Sequence, residues 1–208
     1  MNNELVQGIN WLGHDSFRID AEKTIYIDPF QIRPGPKADI ILITHEHYDH
    51  CSPADIDKIK KDDTIFITEK MSAAKLDGDV RIVKAGDSIS VLGITIEAVP
   101  AYNIDKKFHP KENGWLGYII ELDGKRIYHS GDSDFIPEMK NIKTDVALLP
   151  VSGTYVMTSA EAAEAAMEIQ PKIAIPMHYG AIVGNEQDAI DFQNTLQGKL
   201  DVQILKPV

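Results

Sequence analysis

Short apolar runs separated by turn-forming residues make up most of the first part of the chain. The run 40–43 is apolar throughout, which is typical of a strand buried on both faces. The pair Asp123-Gly124 lies between two such runs and predicts a two-residue hairpin turn. Strands are predicted at residues 10–12, 16–19, 24–27, 40–43, 65–68, 81–83, 88–91, 94–99, 116–121, 126–129, 146–149, 173–176 and 202–205.

Three helices are predicted from their start and stop signals. One begins at the N-cap Ser52 and runs to about Lys60. A second opens with the capping box Thr-Ser-Ala-Glu at 158–161, is rich in alanine and must end before Pro171. The third covers 186–196. Because strands come first and helices interleave later, the order favours an α/β (α+β) protein with sheets in the middle and helices outside.

Composition favours one globular domain over residues 1–208. The chain has 208 residues, of which 43% are hydrophobic, which is enough for a sizeable core. It carries 21 basic and 32 acidic side chains, so its formal net charge is −11. That balance argues against nucleic acid or an anionic membrane as a partner, because both are bound through broad basic surfaces. A small molecule is the expected partner, and self-association into a homo-oligomer stays open.

The compartment is inferred from cysteine usage and apolar segments. Cys51 is the only cysteine and has no internal partner for a disulfide. No apolar run reaches the roughly 20 residues that span a bilayer. Residues 1–7 lack the basic and then apolar pattern of a signal peptide. We therefore expect a cytoplasmic protein.

The densest chemistry follows the apolar run 40–43. His45 and His47 are two residues apart, so their imidazoles point to one side of an extended chain and can hold one metal ion. Asp49 and His50 follow where the chain turns toward the helix, and they offer ligands to a second ion. Three imidazoles with a carboxylate suit zinc, manganese or iron better than calcium, which prefers oxygen ligands. The cluster therefore predicts a metal site and not a patch of solvated histidines.

The pattern His-x-His-x-Asp-His at residues 45–50 resembles the signature of the metallo-β-lactamase superfamily. The likeness is greatest to its lactonase-like, metal-dependent hydrolase branch, which includes L-ascorbate-6-phosphate lactonase. It implies a four-layer αββα sandwich, the metallo-β-lactamase fold, and a hydrolase with two divalent ions, zinc or manganese. Further matching segments are Gly13-His14, Ile27-Asp28-Pro29, Thr44-His45, and residues 130–134 and 176–180.

The resemblance also implies ligands at the ends of later strands. Asp132 would bridge the two ions, and His178 would complete the second ion with Asp49 and His50. In much of the superfamily another histidine follows the strand that here ends at residues 99–101, where this chain has no histidine. His109 is the nearest candidate for the third imidazole on the first ion. The alternative for His109 is a mobile surface residue.

Five further residues are expected to support the site or contact the substrate. Asp28 resembles the family aspartate that hydrogen-bonds a ligand histidine and fixes its tautomer, and a plain Asp-Pro turn is compatible with that role. His14 contacts the substrate or supports a ligand, or is a buried structural histidine. His129 is expected to support the site without binding metal. Tyr102, Tyr155, His14 and a metal-bound water are the candidates for the acid that protonates the leaving group.

Catalysis is assigned to Asp49 and Asp132. Two divalent ions that share a bridging water lower its pKa and yield a hydroxide that attacks a carbonyl or phosphorus centre. The resemblance favours a lactone, phosphorylated or not, with a small phosphodiester second. Lys106, Lys107 and Lys111 would engage an anionic substrate unless they form a solvated loop. A metal-binding or redox module without hydrolytic turnover is the alternative from a different class.

Overall fold

Two β-sheets lie face to face in the computed structural model, which describes residues 3–208. The first sheet has the strand order β1-β2-β3-β4-β5-β6, and the second has the order β13-β12-β11-β10-β9-β8-β7. The first sheet comprises β1 Ile9–Gly13, β2 Ser16–Asp20, β3 Thr24–Ile27, β4 Ile40–Ile43, β5 Ile65–Thr68 and β6 Asp79–Ile82. The second comprises β7 Ser88–Val91, β8 Ile94–Pro100, β9 Leu116–Leu122, β10 Lys125–His129, β11 Val146–Pro150, β12 Ile173–Met177 and β13 Asp201–Val202.

Helices cover the outer faces and join the strands. The α-helices are α1 Asn3–Val6, α2 Pro53–Ile59, α3 Lys70–Ala73, α4 Ser159–Ile169 and α5 Glu186–Leu196, and short 3-10 helices span Lys111–Asn113 and Pro137–Asn141. Within residues 3–208, no helix has both the length and the apolar character needed to cross a membrane.

Strand β4 shows how four layers arise from one apolar run. Ile40 and Leu42 belong to the large core between the sheets, whereas Ile41 and Ile43 join a smaller cluster with Ile56 of α2. Successive strand residues point to opposite faces, so a fully apolar strand can serve two cores at once. Helix α4 packs on β11, and α5 packs on β12 and β13. The layers are therefore helix, sheet, sheet and helix, the αββα sandwich that the resemblance implied.

A buried tyrosine ties the two sheets together near the site. The Tyr118 hydroxyl of β9 lies 2.8 Å from the Ile43 carbonyl and 3.2 Å from the Ile67 carbonyl, which belong to β4 and β5. Directly beside it, the Leu116 amide donates to the Thr44 carbonyl at 3.0 Å. The end of β4 is thus fixed to the second sheet at the point where the histidine motif begins.

Parallel pairing brings the ends of several strands to common edges. In the first sheet β3 pairs in parallel with β4, and in the second sheet β10, β11 and β12 pair in parallel. Parallel strands end at the same edge of their sheet, so the segments that follow them are neighbours. The residues after β3, β4, β10, β11 and β12 meet in this way.

The predicted N-caps Ser52 and Thr158 are confirmed, and α4 ends before Pro171 as expected. The Asp123-Gly124 hairpin is also confirmed, and both of its turn residues have positive φ. The predicted final strand at 202–205 is too long, because β13 ends at Val202. Ile204 and Leu205 pack their side chains on the core without pairing. Two short helices, α1 and α3, were not predicted; α3 is capped by a glutamate, which is not among the favoured N-cap residues.

Candidate metal centre

Histidines and aspartates from both sheets converge where the strand ends meet. Almost all of them are buried, and buried charged groups are rare unless they are paired or coordinate a metal. They are His14 and Asp15 between β1 and β2, Asp28 after β3, His45, His47, Asp49 and His50 after β4, His109 between β8 and β9, Asp132 after β10, and His178 after β12.

Four buried imidazoles of this cluster share an arrangement in which Nδ1 meets a partner while Nε2 faces the common space. A metal-binding histidine is usually held in this way, since the partner fixes the ring and its tautomer. The Nδ1 partners are the Thr44 hydroxyl for His45 (3.0 Å), the Asp28 carboxylate for His50 (2.8 Å), the Asn103 side-chain oxygen for His109 (3.1 Å), and the Ser152 hydroxyl for His178 (2.9 Å).

Asp132 lies at the centre of the cluster. Its Oδ1 is 3.4 Å from Nε2 of His50, and its Oδ2 is 3.2 Å from Nε2 of both His109 and His178. Ligand atoms around one tetrahedral zinc ion, each about 2.1 Å from the metal, are about 3.4 Å apart. The carboxylate therefore faces histidines from two directions at ligand-like spacing.

The candidate ligand atoms fall into two main groups, in each of which they lie within 4.8 Å of one another. The first ligand group is His45, His47 and His109, and the second ligand group is His14, Asp15, His50 and His178. Asp132 joins them, because it also forms such a group with His45 and His50. The described residues thus offer overlapping sets of ligand atoms that could hold metal ions.

The fit to divalent metal ions can be judged from buried atoms that have no partner. Within the described chain, Nε2 of His50, Nε2 of His109, Oδ1 of Asp132 and both carboxylate oxygens of Asp15 are buried without a hydrogen bond. Each such atom costs about 1–3 kcal/mol when left unsatisfied. Because these orphaned atoms are nitrogens and carboxylate oxygens that face one space, the residues fit metal ions.

The carboxylates and imidazoles of the cluster shift one another's pKa values. Burial would raise the pKa of Asp132, but the charges of His178 and His50 hold that pKa well below its ordinary value. Burial would lower the pKa of His178, but Asp132 and Asp15 raise it to about 9. For His45, burial dominates and holds the pKa well below the ordinary value, so this imidazole is neutral and ready to bind a metal at neutral pH.

The backbone is strained at several of these positions. His14, Asp28, Tyr155 and His178 all have positive φ, between 44° and 70°. For residues other than glycine such conformations cost about 1–3 kcal/mol each, and they concentrate at functional sites. Gly131, with φ of 60°, precedes Asp132, and a Cβ there would lie 2.7 Å from the Leu116 carbonyl. The tight turns aim the side chains that follow the strands into the cluster.

Two further predicted residues, Asp49 and His129, lie in different surroundings. Asp49 is half-buried, with Oδ2 at 3.2 Å from Nε2 of His14 and 3.9 Å from Nε2 of His50. Burial raises its pKa, but the His14 hydrogen bond and nearby charge outweigh this effect and lower it. His129 uses both ring nitrogens, near the Asp15 carbonyl and the Gly131 amide, so neither is free for a metal.

Tyr102 and two lysines of the neighbouring loop have carboxylate partners. The Tyr102 hydroxyl is 2.8 Å from the Glu138 carboxylate and is not brought to the cluster. Lys106 pairs with Asp134 at 2.5 Å, and Lys111 pairs with Glu138 at 2.8 Å.

The rim of the pocket is aromatic and aliphatic. Tyr155 reaches it with its ring, which lies 4.4 Å from that of Phe108, while its carbonyl lies 3.2 Å from Nδ1 of His109. Tyr48 and Ile182 also line the mouth. These side chains are at least one-third exposed, which is unusual for large apolar groups gathered in one place. The cavity over the histidines has a volume of about 250 Å³.

The sequence did not indicate the contacts that Asp15, Thr44, Asn103 and Ser152 make with the predicted residues. An aspartate in a turn between strands is ordinarily solvated, so its position in the sequence does not mark Asp15. The partners of Asn103 and Ser152 are determined only by the tertiary fold, whereas Thr44 contacts the ring of the next residue, His45.

Comparisons with known proteins agree with this architecture. The model of the beta-lactamase superfamily domain matches residues 8–178, a range that contains the whole cluster. A UPF0173 metal-dependent hydrolase of Archaeoglobus fulgidus is 35% identical over 96% of each chain. A crystal structure of a Parabacteroides distasonis protein, classed as a metal-dependent hydrolase, is 39% identical with a TM-score of 0.86 and covers 95% of this chain and 93% of that one. A Thermotoga maritima structure, classed as a Zn-dependent hydrolase of the metallo-beta-lactamase superfamily, is 25% identical with a TM-score of 0.66 and covers 95% and 97%.

Proposed function

The chain belongs to the metallo-β-lactamase superfamily and, within it, to the UPF0173 metal-dependent hydrolases, and from that premise we propose that it cleaves an uncharged lactone or ester with the help of two divalent metal ions. The observation that carries the proposal is Asp132, whose carboxylate oxygens face histidines of both ligand groups at 3.2–3.4 Å. A carboxylate in that position can be shared by two ions.

The first ion would be held by His45, His47 and His109, the second by His50 and His178 with Asp49, and both by Asp132. Sets that combine imidazoles with carboxylates suit zinc or manganese. When bound, the ions would supply a water of lowered pKa as the nucleophile and positive charge for the oxygen that becomes negative.

Side chains of the pocket would transfer the proton that the leaving group requires. His14 and Asp49 line the pocket and are joined by a hydrogen bond of 3.2 Å. Burial lowers the pKa of His14, so the ring is neutral near pH 7 and can take up and return a proton. Of the other candidate acids, Tyr155 lines the same pocket, whereas the Tyr102 hydroxyl is engaged with Glu138. We assign proton transfer to His14 and orientation of the attacking water to Asp49.

The surroundings of the pocket support an uncharged substrate with an apolar substituent. Tyr48, Phe108 and Tyr155 line its mouth, and Lys106 and Lys111 of the neighbouring loop are neutralised by carboxylates. Two of the three lysines in this loop are thus paired, which favours a substrate without a phosphate group. The volume of about 250 Å³ is below the roughly 300–1,000 Å³ of pockets for drug-sized ligands, so the substrate is small.

The test is a substrate panel of lactones, carboxylic esters, thioesters and phosphodiesters on protein loaded with zinc or manganese. We expect hydrolysis of an uncharged lactone or ester, its loss after chelation, and its return when either metal is added. Asp132→Ala should reduce the rate at least 100-fold. Asp145→Asn should keep it, because Asp145 precedes β11 at the edge of the sheet opposite the cluster and pairs with Lys172. Full activity in metal-free protein, or turnover of phosphodiesters alone, would contradict the proposal. Bound redox-active iron without hydrolysis would favour the redox alternative.

A further inference from the structure

Asp15 is a completely buried carboxylate at the base of the metal centre. Its side chain is 0% exposed, and neither carboxylate oxygen has a hydrogen-bond partner among the described residues. Oδ2 lies 3.7 Å from Nε2 of each of three imidazoles, those of His14, His50 and His178. Two of these, His50 and His178, are the histidines assigned above to the second ion.

The side chain has no structural task that would explain its position. The turn that carries it is fixed through its backbone, because the Asp15 carbonyl lies 2.9 Å from Nε2 of His129. The next residue, Ser16, anchors the turn separately by donating to the Asp28 carbonyl at 2.5 Å. An aspartate in a turn commonly accepts hydrogen bonds from nearby amides, and Asp15 accepts none. In this structure the carboxylate faces imidazoles at 3.7 Å without a hydrogen bond, and a bound cation would satisfy its oxygens directly.

We propose that Asp15 is a direct ligand of the second metal ion, beside His50 and His178. The inference rests on the proposed function only in requiring that ions bind at this centre. The spacing of 3.7 Å is close to the roughly 3.4 Å between ligand atoms of one tetrahedral ion. The His-x-His-x-Asp-His motif does not include this position.

The additional carboxylate makes the two metal positions chemically different. The first position would have three imidazoles and the shared Asp132, whereas the second would have Asp15 in addition to Asp49 and the shared Asp132 around His50 and His178. Carboxylate oxygens favour manganese(II) more than zinc, and imidazoles suit zinc. Asp15 therefore gives the second position a preference for manganese(II) relative to the first.

The experiment measures the binding of manganese(II) to the full chain by calorimetry and by electron paramagnetic resonance. Wild-type protein should bind two equivalents. Asp15→Asn should weaken the binding of one of the two equivalents at least 10-fold and leave the other as before, while the control Asp145→Asn should match wild type. Circular dichroism checks that each variant is folded. Unchanged binding of both equivalents by folded Asp15→Asn would overturn the inference.

A second measurement keeps the inference testable if Asp15→Asn does not fold. In crystals of the wild-type protein grown with manganese, anomalous scattering locates each ion. We expect one ion within about 2.0–2.3 Å of an Asp15 oxygen. Two ions at the centre, both more than 3 Å from Asp15, would overturn this inference and leave the proposed function standing. Absence of any bound ion would overturn both.

Discussion

The Asp28 carboxylate lies 2.8 Å from Nδ1 of His50 and also accepts hydrogen bonds from the amide and the hydroxyl of Thr44, at 2.8 and 2.6 Å. One buried aspartate thus fixes both the end of β4 and the ring that follows it. Because His50 Nδ1 is engaged, Nε2 is directed toward Asp132 at 3.4 Å. The orientation of this ligand depends on a residue that need not touch the metal.

Asp28→Asn should weaken binding of one of the two ions by about 10–100-fold, the usual effect of losing a carboxylate that orients a ligand histidine. The asparagine amide keeps the size of the side chain but removes the negative charge facing His50. Metal titration by calorimetry measures the effect, with Asp145→Asn as the matched control. Affinities equal to those of the control would show that Asp28 does not orient the ligand.

Gly131→Ala should destabilise the protein more than Gly124→Ala. Both glycines have positive φ, but a Cβ at Gly131 would lie 2.7 Å from the Leu116 carbonyl, whereas one at Gly124 meets nothing within 4 Å. The conformation alone costs roughly 1–2 kcal/mol for an L-residue, so we expect about that loss at Gly124 and at least twice as much at Gly131. Urea unfolding measures both free energies. Equal losses would mean that the backbone relaxes around the new side chain.

The sequence predicted the strands well because apolar runs and turn residues determine them locally. The run 40–43 and the histidine motif after it were located together, since a buried strand and the chemistry at its end are adjacent in sequence. The last strand was predicted too long because Ile204 and Leu205 are apolar for side-chain packing and not for pairing. Apolar character alone does not separate these two causes.

The candidate site was predictable where its residues form a motif and unpredictable where partners come from distant segments. Tyr102 meets Glu138, 36 residues away, and Lys106 meets Asp134, 28 residues away. Such pairs depend on the tertiary fold, so the sequence could not show that Tyr102 and Lys106 have carboxylate partners. Asp15 is a different case, because an aspartate in a turn is ordinarily solvated and only its complete burial marks it.

Alkaline titration should show that several tyrosines ionise at higher pH in the folded protein than in the unfolded chain. Burial raises the pKa of Tyr26, Tyr118, Tyr128 and Tyr179, the last to about 12. A phenol whose pKa is raised in the folded state contributes stability below the unfolded value near pH 10, and this contribution is lost as the pH rises above it. The absorbance at 295 nm should therefore rise in part near pH 10 and in part with unfolding at higher pH. A native curve that superimposes on the curve in guanidinium chloride would refute the expectation.

Phe108→Ala should raise KM for an ester with an apolar substituent about 10-fold while changing kcat little. Phe108 is 54% exposed at the rim, and loss of its ring removes about 1–2 kcal/mol of apolar contact with the substrate. Ile82→Ala is the matched control, because Ile82 is 60% exposed on β6, away from the pocket. Steady-state kinetics on both variants separate the two constants. An unchanged KM for Phe108→Ala would show that the rim does not contact the substrate.

The central claim is that two ions held around Asp132 perform hydrolysis. Metal-free protein is titrated with zinc or manganese while bound metal per chain and the hydrolysis rate are measured on the same samples. We predict no activity without metal and a rate that reaches its maximum only at two ions per chain, with Asp132→Ala remaining inactive at saturation. A rate that is maximal without metal, or an Asp132→Ala variant as active as wild type, would contradict the account.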